Sequence, residues 1–129
     1  MMRFCHRRGE RGAAAIEFAL VLPVLLLLVR GLIEFSRLYN IKISLSNAAR
    51  DGARRMAIHN SQPTAKTAAI AAAPSISPNV SGGQISITPA ACAANQVVTV
   101  TITYSVSLLS GYFGTTLPLT GKKVMLCGG

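Results

Sequence analysis

Side chains that could perform acid–base chemistry are few in this 129-residue chain, and almost all of them lie in its first half. General acid–base catalysis needs a carboxylate or an imidazole held in a defined place. From Asn60 to Gly129 the sequence contains no Asp, Glu or His. The same groups are the usual protein ligands of calcium and of many zinc sites. We therefore expect a protein that is not an enzyme, with no catalytic residue, no metal and no cofactor.

The three cysteines divide between the two ends of the chain. Cys5 precedes the apolar run described below, so a lipoprotein-type cleavage site does not fit. Cys92 and Cys127 lie in the C-terminal half, which we expect to face an oxidising compartment. A disulfide between them would stabilise a small domain by about 4 kcal/mol in the chain-entropy model. We expect this disulfide, and the alternative is a pair of buried free thiols.

Basic residues crowd the N-terminus. Arg3, Arg7, Arg8 and Arg11 are offset only by Glu10. Lys and Arg beside an apolar span are typical of a membrane segment whose N-terminus stays in the cytoplasm. The net charge of +9 would also suit a soluble DNA-binding protein, but a DNA-binding arm needs no adjacent hydrophobic block. We therefore expect membrane lipid, and no nucleic acid, among the partners.

Residues 13–33 are apolar apart from Glu17 and Arg30. As a helix they would be about 31 Å long, which matches the hydrocarbon core of a bilayer. Arg30 follows the leucines after a single valine, where a signal peptide would carry small residues for its cleavage. The Arg30 side chain can extend to the interface, with Glu34 as a counter-charge one turn later. The run therefore predicts a transmembrane helix that is not removed.

Glu17 lies about one turn into the apolar run, where an unpaired carboxylate is costly. If the chain is cut between Gly12 and Ala13, the new α-amino group lies four residues before Glu17 on the same helix face. That amine is largely protonated near neutral pH, so it could pair with Glu17 of its own chain or of a neighbour. The alternative is a glutamate that simply reaches the lipid headgroups. Physical chemistry by itself favours neither.

Two stretches carry a resemblance to a known family. One is "RGAAAIEFALVLPVLLLLVRGLIEFSRLY", which begins at Arg11, and the other is "NAARDGARRMA", which begins at Asn47. Together they resemble the TadE-like pseudopilins of the bacterial tight-adherence system, which assembles Flp (type IVb) pili. In pilins of this class a prepilin peptidase cuts after a glycine. The mature chain then has Glu at its fifth position and an aromatic residue at its sixth, a pattern that Gly12, Glu17 and Phe18 match.

The resemblance implies roles, partners and a location. The implied partners are a prepilin peptidase, other pilin and pseudopilin subunits, and the inner-membrane platform that assembles the pilus. The implied location is the bacterial inner membrane, crossed once, with a cytoplasmic N-terminus and a periplasmic head that can enter the pilus. The residues with implied roles are the processing site Gly12 and Ala13, the leader charges Arg7, Arg8 and Arg11, the assembly motif Glu17 and Phe18, and the helix motif Asn47, Arg50, Gly52 and Arg54.

Beyond the span the helical pattern continues to about residue 59. Apolar and small residues recur there at alternating spacings of three and four, which predicts one packed face. The simplest interpretation is that this face is the base of the head's core, and contacts between subunits are the alternative. The residues of the face are Leu38, Ile41, Leu45, Ala48, Gly52 and Met56.

The remainder predicts a short helix and a small antiparallel sheet. "NSQP" at 60–63 breaks the long helix, and an alanine-rich helix is expected from Thr64. Alternation in "QISIT" and in "QVVTVTITYSVSLL" predicts two strands, each with one buried face. We expect "SGYFGTTLPLTG" to be a loop in which Tyr112 and Phe113 cover the sheet edge. "KKVMLC" is then a short last strand that ends at Cys127.

The predicted fold class is α+β and pilin-like, a long N-terminal transmembrane and amphipathic helix with a small antiparallel β-sheet head. The predicted divisions are a cleaved basic leader (1–12), a transmembrane helix (13–33), its periplasmic continuation (34–59), a linker with a short helix (60–83) and the β head (84–129).

The predicted function is that of a minor pilin-like subunit needed to assemble Flp-type pili. It would be processed by a prepilin peptidase and would act by helix packing rather than by chemistry. The alternative hypothesis is an uncleaved, single-pass envelope protein whose periplasmic head binds another partner. The mature N-terminus distinguishes the two.

Overall fold

The structure is a computed structural model that describes residues 7–109 and 114–128, with side chains from residue 9 onward. It divides into two compact units, Met1–Phe35 and Ser36–Gly129, called here the N-terminal unit and the distal unit. The elements in chain order are helix α1 (Arg7–His59), helix α2 (Gln62–Ala71), a single 3₁₀ turn (Gly82–Gln84), and strands β1 (Ile85–Thr88), β2 (Val97–Ser107) and β3 (Thr116–Leu126). The predicted α+β class, with a long apolar N-terminal helix and a small antiparallel sheet, is confirmed.

Helix α1 continues through Pro23 and ends where the sequence predicts. Its last residue, His59, is followed by Asn60, which has a positive φ of 48°. The left-handed conformation terminates a helix, and Asn is one of the few non-glycine residues that adopt it readily. The Asn60 amide still donates to the carbonyl of Met56, at 2.9 Å. The polar tetrapeptide at 60–63 therefore stops α1 through its first residue.

Helix α2 begins earlier than predicted, at Gln62 rather than Thr64. The prediction treated Pro63 as a helix breaker, and it is wrong because Pro63 lies in the first turn of α2. The first turn needs no backbone N–H from proline, and the fixed φ of proline suits a helix start. The segment predicted as a linker also supplies core residues, since Ala65, Ala69 and Ile76 are buried.

The sheet has three antiparallel strands in the order β1-β2-β3. Its central strand, β2, alternates as predicted, and its inward side chains are buried from Val98 to Val106. Ile85 and Ile87 of β1 are buried on the same side. Just beyond the end of β2, the Leu108 amide donates to the carbonyl of Thr115, which lies just before β3, at 3.1 Å. The period-2 pattern is thus sufficient to predict the two strands.

Strand β3 corrects the prediction for the C-terminal region. It starts at Thr116, within the predicted loop, and is much longer than the strand expected at 122–127. Pro118 pairs with Ser105 in this strand. Because β3 is an edge strand, a proline whose nitrogen faces away from the ladder removes no ladder hydrogen bond. Tyr112 and Phe113, expected to cover the sheet edge, lie outside the described residues.

The core of the distal unit joins α1, α2 and the sheet. The predicted packed face of α1 is confirmed, since Leu45, Ala48, Gly52 and Met56 are buried. A Cβ atom built on Gly121 of β3 would lie 2.6 Å from the carbonyl carbon and oxygen of Leu45. Only glycine therefore allows the helix backbone to approach the strand this closely.

Polar contacts tie the sheet to the rest of the distal unit. The Tyr104 hydroxyl donates to the carbonyl of Pro78 at 2.8 Å. Two cations of α1 bind strand carbonyls, Arg37 at Ser107 (3.0 Å) and Lys42 at Thr120. Each bond satisfies a carbonyl that would otherwise need water. These contacts hold the sheet to the loops and helix around it.

Candidate membrane and assembly site

The apolar part of α1 is exposed along its whole length. Its most apolar 18-residue stretch has a mean hydropathy of 2.5, and none of that stretch is buried. A core helix of a soluble protein passes the same test of length and composition, but it would be mostly buried. Exposed side chains of this kind need lipid or other helices around them. The helix therefore fits a single-pass membrane anchor.

The predicted processing site and assembly motif all lie in this exposed part of α1. Gly12, Ala13, Glu17 and Phe18 are exposed, and 66% of the Phe18 surface is accessible. A Cβ atom added to Gly12 would meet nothing within 4 Å. The fold therefore places no demand on glycine at this position.

The carboxylate of Glu17 has no ion-pair partner within the part of the chain that the structure describes. In the intact chain the nitrogen of Ala13 belongs to a peptide bond inside α1, so it carries no charge. Cleavage between Gly12 and Ala13 would convert that nitrogen into an ammonium group one helical turn from Glu17. Chemically, the arrangement allows an ion pair in the cut chain that the intact chain lacks.

The leader charges are only partly described. Arg11 is exposed on α1. Arg7 and Arg8 lie in the first turn of α1, and their side chains are outside the described part. Cys5 and the residues around it, at 1–6, are also outside it. The proposed role of the leader therefore remains a prediction from sequence.

The structure separates the helix motif into packed and exposed residues. Gly52 is buried, and a Cβ atom there would lie 3.2 Å from the Cβ of Ala69. Asn47, Arg50 and Arg54 are exposed on the outer side of α1. The small residue thus lets α2 approach α1, whereas the polar residues take no part in the core.

A groove beside the exposed motif residues brings in side chains that sequence analysis missed. Asn47, Arg50 and Arg54 line it together with Ile58 of α1 and Met125 of β3. It continues into a depression lined also by Arg55 of α1 and by Ala68 and Ala71 of α2. No sequence spacing links these elements, so only the tertiary packing reveals the grouping.

Cys92 and Cys127 form a disulfide in the structure, with their Cα atoms 5.7 Å apart. This separation is ordinary for a disulfide. The Cys92 amide donates to the side-chain oxygen of Asn60 at 2.6 Å, and the Cys127 amide donates to the carbonyl of Gln96 at 2.7 Å. The bridge therefore joins the end of β3 to a loop that is itself held at the end of α1.

No group of three or more His, Cys, Asp or Glu residues is close enough to hold a metal ion in the ranges 7–109 and 114–128. The acids of those ranges are spread along α1, and the two cysteines bond to each other.

A family model described as TadE-like protein matches residues 12–54. This segment of the chain is TadE-like. The matched residues begin at Gly12 and end at Arg54, so the TadE-like segment contains the exposed apolar helix, Glu17 and all four residues of the helix motif. The resemblance drawn from the two sequence stretches is confirmed.

Comparison with curated proteins and with solved structures returned no match. The TadE-like segment ends before α2 and the sheet, so the match does not extend to these elements of the distal unit.

Proposed function

We propose that this chain is a minor pilin-like subunit of a Tad (Flp) pilus. It enters the inner membrane with its basic leader in the cytoplasm, is cut by a prepilin peptidase between Gly12 and Ala13, and is then incorporated by helix packing. Its partners are the peptidase, other pilin and pseudopilin subunits, and the inner-membrane assembly platform. It has no enzymatic activity of its own.

The observation that carries the proposal is an exposed apolar helix with a carboxylate one turn past Gly12, inside the TadE-like segment. A transmembrane helix packed only against lipid has no use for a carboxylate at this depth. An ammonium group made by cleavage supplies the counter-charge that makes Glu17 favourable. In an assembly the same pair can form between two subunits, which then fixes their relative position along the helix axis.

The exposed Gly12 gives a second line of support. Because nothing packs against it, its role is assigned to recognition by the peptidase. Gly9 is an equally open glycine of α1, and the proposal gives it no role. The two glycines therefore form a matched pair for an experiment.

The test is the mature N-terminus, determined by mass spectrometry of protein purified from cells that contain the matching prepilin peptidase. We expect the wild type and Gly9→Leu to begin at Ala13, and Gly12→Leu to keep the leader. Both substitutions replace an open glycine within the same stretch of helix, so they change the fold equally little. A wild-type chain that retains its leader would contradict the proposal and favour the uncleaved, membrane-anchored envelope protein.

A further inference from the structure

The groove beside the helix motif is a surface that the proposed function leaves unused. It lies within the distal unit, and Asn47, Arg50, Arg54 and Ile58 follow one stripe of α1 along its side. In a helix, residues three and four apart lie on one face. The groove holds about 660 Å³ and continues toward Arg55 and Ala71.

The charge of the groove is not balanced by the chain itself. Arg50, Arg54 and Arg55 have no ion-pair partner among the residues described, and Asp51 is the only acid beside them. Asp51 is three residues before Arg54, a favourable spacing for an ion pair, yet no ion pair forms there. These exposed guanidinium groups are therefore available to carboxylates from outside, which arginine binds with two parallel hydrogen bonds.

The lining of the groove is mixed, because apolar side chains lie beside the charged ones. Ile58 is 55% exposed, Ala71 is exposed, and Met125 is partly buried. Alanine side chains allow the backbone of another segment to approach closely, and Ile58 and Met125 offer apolar contact area. An occupant therefore needs acidic groups on one side and apolar groups on the other, which is the pattern of an amphipathic acidic helix.

We propose that this groove binds an acidic amphipathic segment of a different protein. A second copy of the distal unit does not have the required charge, because that unit has eight basic residues and a single acid. Like charges would repel where two such surfaces meet. The basic residues are Arg37, Lys42, Arg50, Arg54, Arg55, Lys66, Lys122 and Lys123, and the acid is Asp51. The proposal concerns the distal unit and does not depend on cleavage at Gly12.

The test uses the full-length protein in nonionic detergent micelles and a synthetic helical peptide of about 20 residues, long enough to hold a helix on binding. The peptide carries Glu at positions four apart and Leu and Ala on the opposite face. We expect Arg50→Glu combined with Arg54→Glu to weaken binding of this peptide at least about tenfold. The matched control, Lys66→Glu combined with Lys122→Glu, makes the same change of charge outside the groove and should alter the affinity less than about twofold.

Two further measurements distinguish binding in the groove from general charge attraction. A peptide with Lys in place of Glu should bind the Arg50→Glu, Arg54→Glu variant at least about tenfold more tightly than the wild type. Ala71→Trp should block binding of the Glu peptide by occupying part of the groove, whereas Ala94→Trp, on an exposed loop, should not. Hydrogen exchange of β2 checks that every variant keeps the fold.

Several results would overturn the proposal. The Glu peptide could fail to bind the wild type, or the two charge-reversal pairs could weaken binding equally. Binding of phosphatidylglycerol vesicles, or of duplex DNA, could depend on Arg50 and Arg54 as strongly as binding of the peptide does. Either of these last results would assign the groove to lipid or to nucleic acid instead of to protein.

Discussion

At the scale of single residues, the chain separates residues that hold the fold from residues that the fold does not use. Gly121 is required because the backbone of Leu45 occupies the space of a side chain. Glu17, Arg50 and Arg54 have no partner within the described part. Unpaired charges on exposed helix faces add nothing to stability. The two proposals above assign them to contacts with other molecules.

Glu17 is expected to act after processing and not before it. In cells with a complete Tad system, Glu17→Gln should leave cleavage after Gly12 intact and lower the amount of this subunit in sheared pili at least about tenfold, because removing one partner leaves the other charge unpaired in a poorly solvated site. Immunoblots of the sheared fraction measure this. Glu10→Gln is the matched control, since the residue is lost with the leader. Equal recruitment of both variants would contradict the proposed ion pair.

Gly121 is expected to tolerate no side chain. Gly121→Ala should lower the free energy of unfolding of the distal unit by about 1–3 kcal/mol, the usual cost of overpacking, because the clash is with helix backbone that cannot rotate away. Pulse proteolysis in urea, with the protein in micelles, measures this. Gly83→Ala meets nothing within 4 Å and should change the stability by less than about 0.5 kcal/mol. Similar losses in the two variants would show that the close approach is not rigid.

At the scale of elements, helix α1 has two different surroundings along one continuous helix. In the N-terminal unit its apolar side chains are exposed, whereas in the distal unit one face is covered by α2 and the sheet. The same periodicity of apolar residues therefore has two outcomes. Where α2 and the sheet cover it, the packed face of α1 forms part of a core. Where nothing covers the apolar residues, the helix needs lipid or another helix around it.

The packed face of α1 predicts that substitutions at neighbouring positions have very different effects on stability. Leu45 is fully buried, and Leu45→Ala should lower the stability of the distal unit by about 2–5 kcal/mol, because it removes methyl groups from a close-packed site. Ile43, two residues earlier, is 42% exposed, and Ile43→Ala should cost less than about 1 kcal/mol. Thermal unfolding followed by circular dichroism of the sheet compares them. The prediction fails if the two losses are alike.

At the scale of the whole molecule, the chain is a basic, weakly aromatic protein with half of its residues hydrophobic. Many of those hydrophobic residues lie on the exposed helix, so the distal unit folds around a small core rich in alanine, isoleucine and valine. A small core gives little stability, and a disulfide is a common supplement in such domains. The bridge at Cys92 and Cys127 fits this need.

The disulfide is expected to matter for stability rather than for the path of the chain. Cys92→Ser combined with Cys127→Ser should lower the free energy of unfolding by about 2–4 kcal/mol, because the unfolded chain gains the freedom of an open loop. Urea titration with and without dithiothreitol measures this. The reductant should destabilise the wild type to the level of the variant and leave the variant unchanged. A wild type that is insensitive to reduction, although it unfolds fully, would contradict the prediction.

The sequence by itself determined what depends on one-dimensional order. The apolar run, the packed face of α1 and the alternation of β2 were all predictable, because each is a pattern of residues along a single element. The TadE-like motifs were predictable for the same reason, since they lie on one helix. The early start of α2 at Gln62 was missed because proline has opposite effects at the first turn and in the interior of a helix.

The tertiary structure decided what depends on contacts between elements. The start of strand β3 at Thr116 could not be predicted, because Pro118 and Gly121 both disfavour a strand in sequence terms. Only the fold shows that Pro118 lies on an edge strand and that Gly121 makes room for the backbone of Leu45. The groove likewise joins Arg54, Ala71 and Met125, which share no spacing. Packing brings distant residues together by shape, and shape is a property of the folded chain rather than of any period in its sequence.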